Sequence, residues 1–272
     1  MVRHTAAMSH FIHPTAIVSS GVSLGKDVSI GPYCVVEDGA VLGDGVILKS
    51  HVVIDGLVSV GEGTTIFPFV SLGPPQDLKY KGEKSELVIG KGNVIREYTT
   101  MNTGTQTGAM KTVVGDNCLF MMSTHVAHDC VVGDNVIMAN NATLGGHVEV
   151  GDHVLIGGLA AVHQFVRIGP YAVIGGMSGV ESDVIPYGRV KGERAHLAGL
   201  NLVGLERKGF DKDQVRMLQR AFNELFGEEG TLEQRIDMVA NDFSSIDAVM
   251  QIVAFARGKT RFPLCAPSKK SA

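Results

Sequence analysis

The 272-residue sequence contains no tryptophan, and aromatic residues make up only 6% of it. A conventional core for a chain of this length would use more large rings. Glycine, by contrast, occurs 34 times, and its freedom at positive φ suits it to tight turns. The composition therefore favours a narrow core of Val, Ile and Leu surrounded by many turns.

Closely spaced cysteines are also missing. The four cysteines are far apart and form no CxxC pair, and they are Cys34, Cys118, Cys130 and Cys265. This spacing indicates neither a zinc ribbon nor a disulfide framework. We expect reduced, mostly buried thiols, which fit a cytoplasmic protein.

Neither an excess of positive charge nor a long apolar run is present. The net charge of −4 gives no basis for nucleic-acid binding. The absence of an 18-residue apolar run predicts no transmembrane helix, and the first residues lack the apolar core of a signal peptide. We expect residues 1–10 to form a loose N-terminal extension, with Met8 as an alternative start.

What the sequence has is a repeat with a period of six that begins at residue 11. An apolar residue stands at every sixth position, in series running from Ile12 to Leu72 and from Val114 to Val180. Short strands separated by turns explain this period, whereas a helix or simple alternation does not. Three such units close a coil of 18 residues, and stacked coils pair their strands in parallel. The sequence therefore predicts a mainly β fold, a parallel β-helix.

The same period predicts the organisation of the whole chain. We expect the β-helix over residues 11–192, with loops leaving it at 73–87 and 102–112, and a helical C-terminal domain over 193–272. Asp211 and Thr231 stand at expected helix N-caps. The basic, proline-containing tail from residue 258 is expected to be frayed.

Of the ten histidines, four in the second series form a candidate cluster, and they are His125, His128, His147 and His163. An 18-residue coil stacks His128, Gly146 and Gln164 on one face. A histidine beside a carboxylate, here Asp129, is the minimum of a general-base pair. The Gly146 N–H one coil away can stabilise a developing oxyanion. Metal binding and a solvated polar face are the competing interpretations.

Seven segments of the chain resemble one family, and they are HPTAIV, LKSHVVI, QDLKY, HVAHDC, ANNATLGGHV, AVHQF and GLERKGF. They are similar to the acyl-[acyl-carrier-protein]:UDP-N-acetylglucosamine O-acyltransferases, hexapeptide-repeat enzymes that take the first step of lipid A biosynthesis. The resemblance covers nearly the whole chain. It implies a left-handed helix, a homotrimer with active sites between subunits, and a cytoplasmic location. It also implies transfer of an R-3-hydroxyacyl chain from acyl carrier protein to the 3-position of UDP-N-acetylglucosamine.

The resemblance also implies roles for individual residues. His128 is the general base, Asp129 orients it, and the Gly146 N–H binds the oxyanion. The substrate-binding residues are expected to be Asp77, Lys79, His125, His147, His163, Gln164, Asn201 and Arg207. Gly176 stands where the family limits acyl-chain length, and a glycine there leaves room for a long chain. No metal or bound cofactor is expected, because the 4′-phosphopantetheine belongs to the carrier protein.

The chain departs from the family pattern at Asn102, Val203 and Lys208. These departures leave the base intact but put single binding contacts in question, and either a 3-hydroxyl or a 3-amino sugar fits as acceptor. Other functions stay open: the related N-acyltransferase, which carries an additional N-terminal domain, a zinc lyase of the carbonic-anhydrase kind, and a non-catalytic scaffold. A basic patch should receive the acidic carrier protein, and its candidates are Arg167, Arg189, Lys191 and Arg194.

Overall fold

The computed structural model describes residues 10–258 and 260–268, so the expected N-terminal extension up to residue 9, with Met8, lies outside the described residues. The described part forms 28 strands and four helices. The strands are β1 Phe11–Ile12, β2 Ile17–Val18, β3 Ser23–Leu24, β4 Ser29–Ile30, β5 Val35–Val36, β6 Val41–Leu42, β7 Ile47–Leu48, β8 Val53–Ile54, β9 Leu57–Val60, β10 Thr65–Ile66, β11 Ser71–Gly73, β12 Glu86–Ile89, β13 Val94–Ile95, β14 Thr100–Asn102, β15 Lys111–Val114, β16 Leu119–Phe120, β17 His125–Val126, β18 Val131–Val132, β19 Ile137–Met138, β20 Thr143–Leu144, β21 Glu149–Val150, β22 Leu155–Ile156, β23 Ala161–Val162, β24 Arg167–Ile168, β25 Val173–Ile174, β26 Gly179–Val180, β27 Gly188–Lys191 and β28 His196–Leu200. The helices are α1 Leu202–Arg207, α2 Lys212–Leu225, α3 Leu232–Asp242 and α4 Asp247–Arg257.

The strands form the three faces of a parallel β-helix, as the period of six predicts, and its hand is left, as the resemblance implies. Face A contains β1 and every third strand up to β25, followed by β27 and β28; face B runs from β2 to β26, and face C from β3 to β24. Successive coils pair in parallel, and Val126 lies beside Leu144, which lies beside Val162. The chain passes from A to B to C in every coil, which leaves three corners that we call A–B, B–C and C–A.

The core is a thin column inside the three faces. The second residue of each strand pair points inward, and Ile30, Ile66, Ile95 and Phe120 are fully buried on face A. Burying one such aliphatic side chain contributes about 1.5–3 kcal/mol, so the regular apolar series stabilises the stack over its whole length. Each strand between the two ends of a face is held by backbone hydrogen bonds to the coil on either side of it.

Both loops leave the helix at the B–C corner. One covers residues 74–85 between β11 and β12, and the other covers residues 103–110 between β14 and β15. The loops contact each other, because Ser85 Oγ donates to Thr103 Oγ1 over 2.8 Å and the Gln106 N–H donates to Glu83. Insertions at one corner on successive coils therefore form a single projection.

The helices begin at Leu202, later than the boundary near residue 193 that the sequence indicated. The reason is that β28 runs antiparallel to β27, so residues 196–200 cover the edge strand of the last coil with backbone hydrogen bonds. The predicted N-caps are present, since Asp211 caps α2 and Thr231 caps α3, each in a capping box. The inward apolar faces of α2, α3 and α4 pack together around Leu218, Val239 and Ile252.

The expectation of a frayed tail is wrong for residues 260–266. The Asp183 N–H donates to the Pro263 carbonyl, and the Cys265 N–H donates back to the Asp183 carbonyl over 2.7 Å. The carboxylate of Asp183 is fully buried and accepts from Thr260 Oγ1 and from Arg167. The tail stays in place because a buried carboxylate must keep its hydrogen-bond donors.

The same network corrects one candidate of the carrier-binding patch. Arg167 forms a salt bridge with Asp183 over 2.8 Å, and its guanidinium lies over the Phe255 ring. Its side chain is only 15% exposed, so it joins the helices to the β-helix and does not offer a free charge. No helix in the described part of the chain combines the length and the apolarity needed to cross a membrane.

Candidate active site

His128 lies at the B–C corner, one coil beyond the loop of residues 103–110. Val126 of β17 points into the core, and the chain then turns through His128 and Asp129 towards β18. The turn places Asp129 in the left-handed region with φ of 60°, a conformation that Asp tolerates better than most residues. The repeat therefore fixes both the position of the base and the direction of its neighbour.

The imidazole and the carboxylate form the pair that the sequence indicated. His128 Nδ1 lies 2.9 Å from Asp129 Oδ2. The imidazole is 20% exposed and the Asp129 side chain only 1% exposed. Because Asp129 accepts from Nδ1, the ring keeps Nε2 as the nitrogen that can take a proton from a substrate.

Asp129 is held by a ring of donors that the sequence did not reveal. The Thr105 Oγ1–H donates to Oδ2 over 2.6 Å, the Thr105 N–H donates to the same carboxylate, and the Ala109 N–H donates to Oδ1 over 2.8 Å. The Asp129 N–H in turn donates to Thr112 Oγ1. The loop of residues 103–110 thus orients the group that orients the base.

These donors decide the protonation state of the carboxyl group. Burial alone would raise the pKa of Asp129, but the hydrogen bonds from Thr105 and His128 outweigh it and hold the pKa below its usual value. Asp129 is therefore ionised at neutral pH and stabilises an imidazolium on His128.

Gly146 lies directly against the ring of His128. A Cβ added to Gly146 would stand 2.6 Å from His128 Cε1 and 2.7 Å from Nε2, so only glycine fits without moving the imidazole. In the described part of the chain no group accepts a hydrogen bond from the Gly146 N–H. An unused backbone donor beside the base is what an oxyanion requires.

His147 continues this corner as part of a ladder of rings. Its ring meets that of His128 edge-on at 5.1 Å and stacks on Phe165 at 4.3 Å. Burial lowers the pKa of His147, with Asp129 opposing the shift and His128 and Arg261 adding to it. His147 is therefore a neutral hydrogen-bonding group at neutral pH. Phe165 and Arg261 were not indicated by the sequence.

His125 lies on face B beside the corner. Its Nδ1 is 2.7 Å from Thr100 Oγ1, one coil below, and burial followed by the charge of His128 lowers its pKa. Gln164 and His163 are exposed two coils above His125, where His163 Nδ1 is 3.1 Å from the Gln164 carbonyl oxygen. These histidines and Gln164 therefore lie with the base at one corner.

Asp77 and Lys79 stand on the loop of residues 74–85, which leaves the same corner two coils below the base. Asp77 Oδ1 accepts from the Lys79 N–H over 3.0 Å, which turns the loop on itself, and the Lys79 side chain is exposed. Asn102 joins this loop to the scaffold, because its Nδ2 donates to the Pro74 carbonyl.

Asn201 and Arg207 lie away from the base, at a cavity of about 440 Å³ between face A and α1. Asn201 Oδ1 caps α1 by accepting from the Gly204 N–H, so the residue also has a structural role. Arg207 is exposed, and Val203 and Lys208 line the same cavity.

Lys208, where the chain departs from the family pattern, has a hydrogen-bond partner in the same cavity. Lys208 Nζ donates to His153 Nδ1 over 3.1 Å. Burial and then Lys208 lower the pKa of His153, which keeps its ring neutral and able to accept.

Gly176 lies at a different corner, A–B, after β25. A Cβ there would be 3.3 Å from the Gly158 carbonyl oxygen, and Met177 beside it is 72% exposed. One chain therefore distributes the predicted residues over three places: the base at B–C, Asn201 and Arg207 beside face A, and Gly176 at A–B.

His128, Asp129 and His147 each offer one atom that could bind a metal ion, and these three atoms lie within 4.8 Å of one another. No other such group of histidine, cysteine or carboxylate side chains in the described chain is spaced closely enough to hold a metal. The carboxylate of Asp129 already accepts from four donors, which are Thr105 N–H, Thr105 Oγ1–H, Ala109 N–H and His128. A set whose carboxylate is saturated by hydrogen bonds suits a proton-transfer pair better than a zinc site.

Comparison with known proteins identifies the family. A family model described as UDP N-acetylglucosamine O-acyltransferase, domain 2, matches residues 183–265, and one for the bacterial transferase hexapeptide matches residues 21–56 and 111–146. An acyl-[acyl-carrier-protein]–UDP-N-acetylglucosamine O-acyltransferase of Rickettsia canadensis is 54% identical over 93% of this chain and 97% of its own. The corresponding protein of Caulobacter vibrioides is 50% identical over 95% and 99%.

Solved structures agree with this assignment. The UDP-N-acetylglucosamine acyltransferase of Campylobacter jejuni superimposes with a TM-score of 0.89 at 40% identity, covering 94% of this chain and all of its own. The Francisella novicida enzyme gives 0.92 at 30% identity, covering 96% and 95%. The resemblance seen in the sequence is confirmed, and the chain belongs to the family of the acyl-[acyl-carrier-protein]–UDP-N-acetylglucosamine O-acyltransferases.

Proposed function

We propose that the chain transfers an R-3-hydroxyacyl group from acyl carrier protein to the 3-position of UDP-N-acetylglucosamine, with His128 as the general base. Acyl transfer to this nucleotide sugar in lipid A biosynthesis is the activity of the family to which the chain belongs. The observation that supports the role of His128 is its 2.9 Å contact with buried Asp129, with Gly146 packed directly against the ring.

The chemistry follows from these positions. His128 Nε2 removes the proton from the acceptor hydroxyl as its oxygen attacks the thioester carbonyl carbon. The carbonyl oxygen becomes an oxyanion that accepts a hydrogen bond from the Gly146 N–H. Collapse of the tetrahedral intermediate breaks the carbon–sulfur bond, and the imidazolium returns its proton to the departing thiolate. Asp129 stabilises the imidazolium throughout.

We propose that the active site is completed by a homotrimer. The support is that the base, the cavity of Asn201 and Arg207, and Gly176 lie at separate corners and faces of one chain, while the nucleotide sugar and the acyl donor must meet at the base. In the proposed trimer, three copies pack around an axis so that the B–C corner of one subunit lies beside the A–B corner of the next. Gly176 would then leave space for the acyl chain.

We also propose where the cofactor comes from, where the protein is located and which residues bind the carrier protein. The carrier protein supplies 4′-phosphopantetheine, so the enzyme needs no bound cofactor or metal for this mechanism. A cytoplasmic location is supported by Cys34, Cys118, Cys130 and Cys265, which are all free, buried thiols. Arg189, Lys191 and Arg194 remain the carrier-binding candidates, although Arg194 already pairs with Glu181.

An acyl-transfer assay tests the proposal. Purified protein is given UDP-N-acetylglucosamine or its 3-amino analogue together with a ladder of hydroxyacyl carrier proteins. We expect transfer with a preference for long chains, and Gly176→Met should move that preference to shorter chains. Absence of transfer to both acceptors with every donor would refute the proposed function.

A further inference from the structure

The tail of the chain brings an arginine to the catalytic corner. Arg261 lies with its guanidinium 3.8 Å above the centre of the Phe165 ring. Phe165 stacks on His147, and His147 meets His128 edge-on, so the ladder of rings runs from the base to Arg261. This arginine is thereby fixed to the same rigid scaffold as the reacting groups.

Arg261 is held in place on both sides of its position in the chain. Thr260 before it donates to the buried carboxylate of Asp183. Phe262 after it lies edge-on to the His163 ring at 5.4 Å, and Pro263 accepts from the Asp183 N–H. The backbone around Arg261 is therefore anchored to the coil that carries His163 and Phe165 and to the coil that follows it.

The side-chain N–H groups of this arginine have no partner in the described part of the chain. Within residues 10–258 and 260–268 no carboxylate forms a salt bridge with Arg261 and no group accepts a hydrogen bond from it. By contrast, Arg96, Arg167 and Arg257 are each paired with a carboxylate. A guanidinium whose flat face rests on a ring still presents all its N–H groups at its edge.

We propose that Arg261 is a substrate-binding residue that takes a phosphate group of a substrate at the catalytic corner. A guanidinium binds phosphate oxygens through paired, charge-assisted hydrogen bonds, and stacking on Phe165 fixes the direction of the fork before the ligand arrives. Both substrates carry phosphate: the nucleotide sugar has a diphosphate, and the carrier has the phosphodiester of its phosphopantetheine. This inference rests on the proposed function, since it takes the B–C corner as the place of reaction.

The test uses two substitutions of Arg261 in the full-length protein. Arg261→Met removes the charge and keeps a long side chain over Phe165, whereas Arg261→Lys keeps the charge and loses the fork. Arg220→Met is the matched control, because Arg220 also lies over a ring, that of Phe243, but in the helical domain. The KM for each substrate is measured with the other at saturation.

We expect Arg261→Met to raise one KM at least about tenfold with kcat changed less than about threefold, Arg261→Lys to lie between it and wild type, and Arg220→Met to match wild type. A rise confined to UDP-N-acetylglucosamine assigns the phosphate to the diphosphate, and a rise confined to the acyl carrier assigns it to the phosphopantetheine. If both KM values of Arg261→Met stay within about twofold of wild type, the proposal is wrong. A fall in kcat alone, with a lower melting temperature, would show a structural role and would also overturn it.

Calorimetry distinguishes failure of the Arg261 proposal from failure of the proposed function. Binding of UDP-N-acetylglucosamine and of the carrier protein to wild type and Arg261→Met does not require turnover. If wild type shows no transfer but Arg261→Met weakens binding of either substrate, the phosphate site stands without the proposed reaction. If wild type transfers the acyl group and Arg261→Met binds both substrates as tightly as wild type, the proposed role of Arg261 is wrong and the proposed function stands.

Discussion

Asp129 Oδ2 lies 2.9 Å from His128 Nδ1, and the two partners differ sharply in exposure, since 20% of the His128 side chain but only 1% of the Asp129 side chain is accessible. The base can therefore meet a substrate while its orienting carboxylate cannot. Solvent does not compete for the carboxylate, so its hydrogen bonds act in a low-dielectric environment, where they are stronger than in water.

Asp129→Asn should separate orientation from charge. The amide keeps the size of the side chain but cannot stabilise an imidazolium, so kcat should fall at least about a hundredfold with the KM values changed less than about threefold. Asp44→Asn is the matched control, because Asp44 also accepts a backbone N–H at a corner but lies in the second coil. Steady-state kinetics measures the effect, and a fall in kcat of less than about fivefold in Asp129→Asn would contradict the proposed role of Asp129.

Thr105→Val should change the pH dependence of the reaction. Thr105 is the main hydrogen-bond donor that lowers the pKa of Asp129, so its removal raises that pKa towards the value that burial alone would give. Asp129 is then protonated at a higher pH, and the acid limb of the kcat/KM profile moves upward in pH. Thr15→Val, in an exposed turn of the first coil, is the control. An unchanged acid limb would show that the loop does not tune the base.

Gly146→Ala should damage catalysis without unfolding the protein. The new methyl carbon would lie within 3.1 Å of three atoms of the His128 ring, and the ring must move away from the oxyanion donor. Alanine keeps the N–H, so the loss comes from moving the base away from this donor, and we expect it to reach the factor of about 10²–10³ in kcat that removal of one such donor costs in other enzymes. Gly227→Ala is the comparison, since its added carbon would meet nothing closer than 3.4 Å. Wild-type activity in Gly146→Ala would be incompatible with the proposed geometry.

His125 should make the fold less stable in acid. Its pKa is lowered by burial, so the folded state resists protonation and the unfolded state, with a pKa near 6.5, does not. The stabilisation from the neutral ring is complete above pH 6.5 and is lost as the pH falls towards the lowered pKa. In His125→Gln the difference in melting temperature between pH 7.5 and pH 5 should therefore be smaller than in wild type. Equal differences would show that His125 does not contribute.

The β-helix could be predicted from the sequence because a period of six fixes the place of each residue in its coil. Once Val126, Leu144 and Val162 are assigned to one stack, the positions of His128 and Gly146 follow from counting. The same counting places both loops at the corner of the base. Their conformation does not follow, since the bonds of Thr105 and Ala109 to Asp129 depend on how an irregular segment folds back.

The contacts of the C-terminal region could not be predicted from the sequence, for a different reason. Arg261 meets Phe165 across nearly a hundred positions in sequence, and no repeat connects the two. The tail reads as polar and basic, and only the buried Asp183 shows why it is held. Asn201 likewise matched a binding motif, while its role as N-cap of α1 appears only in three dimensions.

The most direct measurement of the central claim is the acyl-transfer rate of His128→Ala compared with wild type, with circular dichroism and binding of UDP-N-acetylglucosamine as checks on the fold. We expect the rate to fall at least about a hundredfold, with the spectrum unchanged and the nucleotide sugar bound within a few-fold of wild type. A variant that is folded, binds the nucleotide sugar and transfers the acyl group at a rate within a few-fold of wild type would show that His128 is not the base.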